Sequence, residues 1–172
     1  MAKTLRELLD VPTYKHLDIE EIHNENDMIK LSLSMMTIYV AKLIPIFTAA
    51  SITGRKVKDI KSVVADLSLV MEYLFILCNS CNYEIPDDTC LEDFEDTVPL
   101  ELKHDSILGL QSVIGSISEL SYLIYVDMEG EVWKEDDLSF DFDELVCTII
   151  VGIKNLGIKH GFTMEEVIDG IS

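Results

Sequence analysis

The chain has 172 residues, 48% of them hydrophobic, with 32 acidic against 13 basic side chains and a formal net charge of −19. That length and apolar fraction suit one domain, or two fused half-domains, with a sizeable core, and exclude a disordered acidic tail. The charge excludes a protein that works by neutralising nucleic-acid phosphates or by lying on an anionic membrane surface.

In chain order, Thr4 with Glu7 three residues on makes a capping box for a short helix at 4–10, which Val11-Pro12 ends. A further helical turn is expected at 18–23. Asn26 or Asp27 caps the first long helix, about 27–50. Pro45 should kink or break that helix, because its ring clashes with the carbonyl of Ala41. Residues 51–56 form a connector containing Gly54. The second long helix spans about 58–82, with Ile60, Val63, Val64, Leu67, Val70, Met71, Leu74, Leu77, Cys78 and Cys81 recurring at spacings of three and four. A turn at Ile85-Pro86, a short helix at 89–93 and Val98-Pro99 follow.

Helix three is expected over about 105–126, where Gly109 and Gly115 either approach a neighbour closely or weaken the helix. Residues 127–140 read as an acidic loop anchored by Trp133. Helix four covers about 142–159 and Gly161 ends it in the left-handed conformation. Thr163 then caps a last helix at 164–171, with Glu165 and Glu166 in the first turn, where the helix dipole favours acids. No segment has strand character, so the fold class is all-α.

The two halves look like copies of one unit. Each opens at an Asp with a long amphipathic run, then has a charged connector, a second apolar run and a short tail. The chain divides into short N-terminal helices (1–26), a first helical-hairpin repeat (27–85), an acidic linker (86–104) and a second helical-hairpin repeat (105–172). Two hairpins packed on each other would form an intrachain pseudo-dimer, open to further homo-oligomer assembly.

Seventeen acids cluster between Glu84 and Glu101 and between Asp127 and Glu144. They read as solvated connectors, as a DNA-mimicking surface for a basic protein partner, or as cation ligands. The four cysteines are Cys78, Cys81, Cys90 and Cys147. The N-terminus has no signal-peptide pattern, so a reducing cytoplasm is expected. Cys78 and Cys81 form a lone CxxC whose thiols share one helix face as half-buried apolar positions; no second pair completes a zinc site. The run 31–52 is apolar enough to raise the question of a membrane, but a buried bundle helix explains it and its counterpart at 107–126, and no membrane partner is expected.

Four segments carry a resemblance. GFTMEEVI at 161–168, LVMEYLFIL at 69–77, GRKVKDIK at 54–61 and LGLQSVIGSISEL at 108–120 are similar to the corresponding segments of the MazG-like all-α NTP pyrophosphatases, once per repeat. The resemblance implies a helical bundle. It also implies a metal site in which acids from an E-E-x-x-E helix and an E-x-x-D helix hold Mg²⁺ against a triphosphate and position a water. Here those acids are mostly missing. In the first repeat, residues 30–42 contain no acid, Asp66 stands for the first acid of the pair, the second falls on Leu69, and Glu72 comes a turn too late. In the second, Glu119 stands for a first-helix acid. The pair falls on Leu145 and Thr148 if Gly161 sets the register, or on Asp141 and Glu144 if Gly157 does.

No P-loop, dinucleotide-binding or nucleophile-elbow motif is present. The histidines lack metal-ligand spacing and read as surface or capping residues. The densest basic cluster is Arg55, Lys56, Lys58 and Lys61, with Lys42 near it, and a weaker patch combines Lys154, Lys159 and His160. A basic patch at a helix N-terminus suits a phosphate. Tyr39 and Tyr73 fall on paired helices where a base could stack.

The reading that joins these features is a catalytically degenerate MazG-like protein that binds or sequesters a nucleotide or cyclic nucleotide through Arg55, Lys56, Lys58, Lys61, Tyr39 and Tyr73, without a cofactor. One alternative is an Mg²⁺-dependent NTP pyrophosphohydrolase using Glu119, Asp141, Glu144 and Asp66. Another is an acidic inhibitor of a basic, DNA-binding partner.

Overall fold

A computed structural model describes residues 25–81, 83, 105–128 and 137–171, with side chains at 27–81, 83, 105–124 and 142–171. The short helices expected at 4–10, 18–23 and 89–93, the turns at Pro12, Pro86 and Pro99, Trp133 and Cys90 lie outside these residues, as does the acidic segment 84–101. The described chain is all-α, as its patterning requires. The helices are α1 (Glu25–Thr53), α2 (Ile60–Ser80), α3 (Ser106–Met128), α4 (Asp137–His160) and the short α5 (Met164–Asp169), with no strand among the described residues.

The helices pack as two pairs. α1 lies along α2 and also against α3, α3 lies along α4, and a lighter contact between α4 and α2 closes the ring. α5 folds back across α2 and touches α4. The core stripe of α1 is Met36, Val40, Leu43 and Phe47, at the three- and four-residue spacing that keeps side chains on one helix face. It meets Leu67, Met71 and Leu74 of α2 and Leu110, Ile117 and Leu120 of α3, all within one core cluster. Each such side chain contributes roughly 1.5–3 kcal/mol by leaving water. α2 is the central element: every residue from Val70 to Cys78 is buried, as expected of a helix that is apolar all round.

The helix ends follow from local chemistry. Gly54 adopts φ +66° after α1, and the Arg55 amide returns to the Ala50 carbonyl at 3.1 Å. Asp59 caps α2 by accepting from the Ser62 amide at 3.2 Å. Asp105 caps α3 through two bonds, from the Ile107 and Leu108 amides, both 2.9 Å. Gly161 takes φ +85° after α4, as its position predicts, with its own amide and that of Phe162 both returning to the Gly157 carbonyl. Thr163 caps α5 through the Glu166 amide at 3.1 Å.

Three expectations are corrected. α1 is not broken at Pro45; it runs on to Thr53. Pro45 and Ala41 both lie on the exposed face, where water can take the carbonyl that the proline leaves without its helical donor. α4 starts at Asp137, not near 142. Asp137, expected in the acidic loop, occupies its first turn, where the helix dipole favours negative charge. Gly115 faces open space on an exposed position, so of its two expected roles only the weakening of α3 applies.

Polar ties join the pairs. Ser68 of α2 donates to the Val167 carbonyl of α5 at 2.5 Å. The Tyr83 hydroxyl donates to Asp143, and its ring packs on Phe142 at 4.5 Å, pinning the chain after α2 to the start of α4. Burial and that bond to Asp143 push the Tyr83 phenol well above its ordinary range. Cys78 and Cys147 are buried and Cys81 is half-buried, and none of the three is in a disulfide among the described residues. Burial drives the Cys78 thiol upward, so it packs as a small apolar group.

Candidate functional site

The cationic side chains gather at one end of the bundle, where α1 and α4 finish and α3 begins. The α1–α2 connector carries Arg55, Lys56 and Lys58, all exposed. With Ile46 and Ala49 of α1 and Val57, they line a cavity of about 310 Å³. Arg55 also borders a second cavity of about 170 Å³, formed with Ser106 at the start of α3 and Lys159 and His160 at the end of α4. The two basic patches that lie about a hundred residues apart in the chain are therefore neighbours, with Arg55 common to both. Lys61 is exposed in the first turn of α2 and lines neither cavity.

His160 is not the simple surface residue its sequence position suggests. It is half-buried, its ring packs on Phe47 at 4.7 Å and its Nε2 lies 2.8 Å from the Ser106 hydroxyl. Burial first, then the charge of Lys159, hold its pKa below the ordinary 6.5. Ser106 is a site residue that sequence reasoning missed; its one signal is its place beside Asp105 at a helix start.

The remaining predicted residues lie elsewhere. Lys42 does not join the basic cluster. It sits farther back on α1 and binds Asp66 of α2 at 3.3 Å. The Asp66 carboxyl is buried, and its second oxygen makes no hydrogen bond. Tyr39 and Tyr73 stack on each other at 6.4 Å with an 18° tilt, and Tyr73 is buried. Sixteen residues of helical rise put Tyr39 roughly 20 Å or more from Arg55. The tyrosine pair, with Tyr39 half-buried and Tyr73 buried, and the basic end are thus separate features.

Glu72 is 2% exposed, and burial pushes its carboxyl up to about 7. Burial is also the main reason the Tyr73 phenol beside it lies above its ordinary value.

The acids of the alternative metal site are spread over three helices. Glu119 and Glu144 are exposed on α3 and α4, while Asp66 is buried on α2. The Asp141 side chain lies outside the described residues. Among the described residues, no group of three His, Cys, Asp or Glu side chains is placed to hold an ion. In the other register, Leu145 is half-buried and Thr148 is buried, its hydroxyl donating to the Glu144 carbonyl at 2.7 Å.

No family model, curated protein or solved structure matches this chain.

Proposed function

We propose that this is a non-hydrolysing nucleotide-binding protein built on a MazG-like hairpin used twice, and that the nucleotide binds at the basic end of the bundle. The observation that carries this reading is the gathering of Arg55, Lys56 and Lys58 with Lys159 and His160 around two adjoining cavities in a chain of net charge −19. A cationic pocket in so acidic a protein selects a small polyanion, since a long one would meet the surrounding negative field. The larger cavity adds an apolar wall, Ile46, Ala49 and Val57, of the kind a base or sugar needs.

The absence of hydrolysis is argued from Asp66. It is the one acid of the first hairpin that matches the metal-binding pair, and a protein cation, Lys42, sits against it. An ammonium neutralises that carboxylate but cannot polarise a phosphate or deliver a water as a divalent ion does. The tyrosine pair lies outside the proposed binding site, because Tyr73 is buried and the pair is remote from Arg55.

The test is a thermal-shift and hydrolysis screen over nucleoside mono-, di- and triphosphates and cyclic nucleotides, with and without Mg²⁺. The expected result is a rise in melting point without metal, the nucleotide recovered intact, and a loss of about tenfold or more in affinity in Arg55→Glu. Turnover that depends on Mg²⁺ and is abolished by Glu119→Gln would establish the pyrophosphohydrolase instead. An absence of any nucleotide effect, with tight salt-sensitive binding to a basic protein, would favour the acidic-inhibitor reading.

A second observation bears on assembly. α1 and α3 are each long and apolar enough to cross a membrane by length and composition alone. The apolar window of α1 is only 22% buried, and Ile38 and Ile52 are 56% and 80% exposed. From Ser34 to Thr53 the exposed face of α1 carries Ser34, Thr37, Ala41 and Ala49 beside those isoleucines, and the one charge in that stretch, Lys42, is paired with Asp66. In a chain of −19, this is a face on which two copies can meet without like-charge repulsion. We propose that α1 pairs with α1 of a second copy. Light scattering is expected to give twice the chain mass for the wild type and the single-chain mass for Ile38→Asp. A monomeric wild type, or one that partitions onto uncharged vesicles through α1, would overturn the pairing.

A further inference from the structure

We infer that the smaller cavity is a phosphate seat built jointly by the two hairpins. Arg55 comes from the first, Ser106, Lys159 and His160 from the second, and the seat takes a terminal phosphate monoester dianion together with a proton on His160. This rests on the nucleotide-binding reading and adds which end of the nucleotide is gripped and how pH controls the grip.

The geometry supplies the parts. The cavity holds about 170 Å³ and is bordered by a guanidinium, an ammonium, an imidazole and a hydroxyl. The Ser106 hydroxyl and His160 Nε2 are 2.8 Å apart. When His160 is protonated, Nε2–H donates to the Ser106 oxygen, and the serine hydrogen is then free to donate to a bound oxyanion. Arg55 offers a planar set of donors that matches two phosphate oxygens at once.

The charged groups around His160 set the direction of the pH effect. Among the described residues bordering the cavity, the α1–α2 connector brings Arg55, α3 brings Asp105, and α4 brings Lys159. α1 contributes only uncharged groups, including the Phe47 ring that packs on the imidazole. Asp105 opposes an anion, but its Oδ1 is bonded to the Ile107 and Leu108 amides, and the positive end of the 23-residue α3 lies at the same place. Burial and Lys159 keep His160 neutral near neutral pH. A dianion placed between Arg55 and Lys159 reverses that balance and draws a proton onto the ring. Binding therefore takes up a proton and strengthens as pH falls.

The same argument sets the ligand class. A phosphate monoester carries between one and two negative charges near neutral pH, whereas a diester carries one. The seat thus favours the open phosphate end of a nucleotide over a cyclic nucleotide. Because Arg55 borders both cavities, the organic part of the ligand extends from the seat into the larger one, against Ile46 and Val57.

Sulfate, which stays dianionic across the range, is the probe, with inorganic phosphate as a second. Calorimetric titration of the full chain at pH 6 and pH 8 is expected to give an affinity about tenfold higher at pH 6. The NMR titration of the His160 ring should move to higher pH when sulfate is added. His160→Gln is expected to bind with the same affinity at both pH values. Lys159→Gln and Arg55→Ala are expected to weaken binding at both and keep the pH dependence. A His160 titration unmoved by sulfate, or a pH dependence that survives in His160→Gln, overturns the seat. If His160→Gln does not fold, Ser106→Ala and the wild-type NMR titration decide the matter. ATP binding that is indifferent to pH and to His160→Gln would refute the seat and leave the nucleotide reading standing. Sulfate behaving as expected while no nucleotide binds more tightly than sulfate would refute the nucleotide reading and leave the seat.

Discussion

Gly157→Ala is expected to lower the melting point by about 2–8 °C, although alanine is the better helix former. A Cβ at this position would overlap the carbonyl oxygen of Phe162 and touch its ring. The overlapped atom is backbone, so no rotamer change relieves it. Overpacking of this kind costs roughly 1–3 kcal/mol, against a helix-propensity gain of about 1 kcal/mol at most. An overlap this close with a backbone atom falls in the upper part of that cost range, so it wins by about 1–2 kcal/mol, at roughly 2–4 °C per kcal/mol for a chain of this size. The damage should be local first. The chain bends back at this point to bring α5 onto α2, where Ser68 holds the Val167 carbonyl. Hydrogen exchange is expected to accelerate at α5 amides before those of α2. A melting point unchanged or raised in Gly157→Ala would show that the turn adjusts freely.

Glu72→Gln is expected to stabilise the protein at about pH 8.5 and to leave it unchanged at about pH 3.5, below the ordinary carboxyl value of 4.5. Burial raises the Glu72 carboxyl from 4.5 to about 7. A carboxyl whose folded pKa is raised contributes most below its unfolded pKa, where both states are protonated. That contribution falls away as pH rises from about 4.5 through about 7, because the folded chain must then hold a buried charge. The amide has the shape of the protonated acid and no charge to lose. After discounting for solvent screening the gain is on the order of 1 kcal/mol, or roughly 2–4 °C. Thermal melts of the two proteins across that range test it. Equal melting points at high pH would mean that Glu72 titrates as an ordinary carboxyl.

A carboxyl retained against such a cost is notable beside the Tyr39–Tyr73 pair and the Lys42–Asp66 bridge, which lie along the same two helices. The interior of the first hairpin keeps polar groups, and one oxygen of Asp66 is paired from within the protein by Lys42. The basic end keeps its cations in exposed positions around cavities. Those two environments separate the buried acids in the middle of the hairpin from the exposed cations at its connector end.

Sequence alone determined the class of fold and most helix ends, because these depend on near neighbours in the chain. The three- and four-residue spacing of Val63, Leu67, Val70, Met71 and Leu74 requires a helix, and Gly161 followed by Thr163 ends one and starts the next whatever surrounds them. Local rules missed the start of α4 at 137–140, where Asp137 suits a helix start as well as a loop, and at Pro45 the exposed face lets the helix run on unbroken. Tertiary structure alone decided the candidate site. Nothing in the order of residues says that Arg55 meets Ser106, Lys159 and His160, that Lys42 leaves the basic cluster for Asp66, or that Tyr73 is shut in. Helix periodicity specifies which face of each helix is apolar, but the side chains that meet across different helices are chosen only when those faces pack and the ends of the hairpins come level.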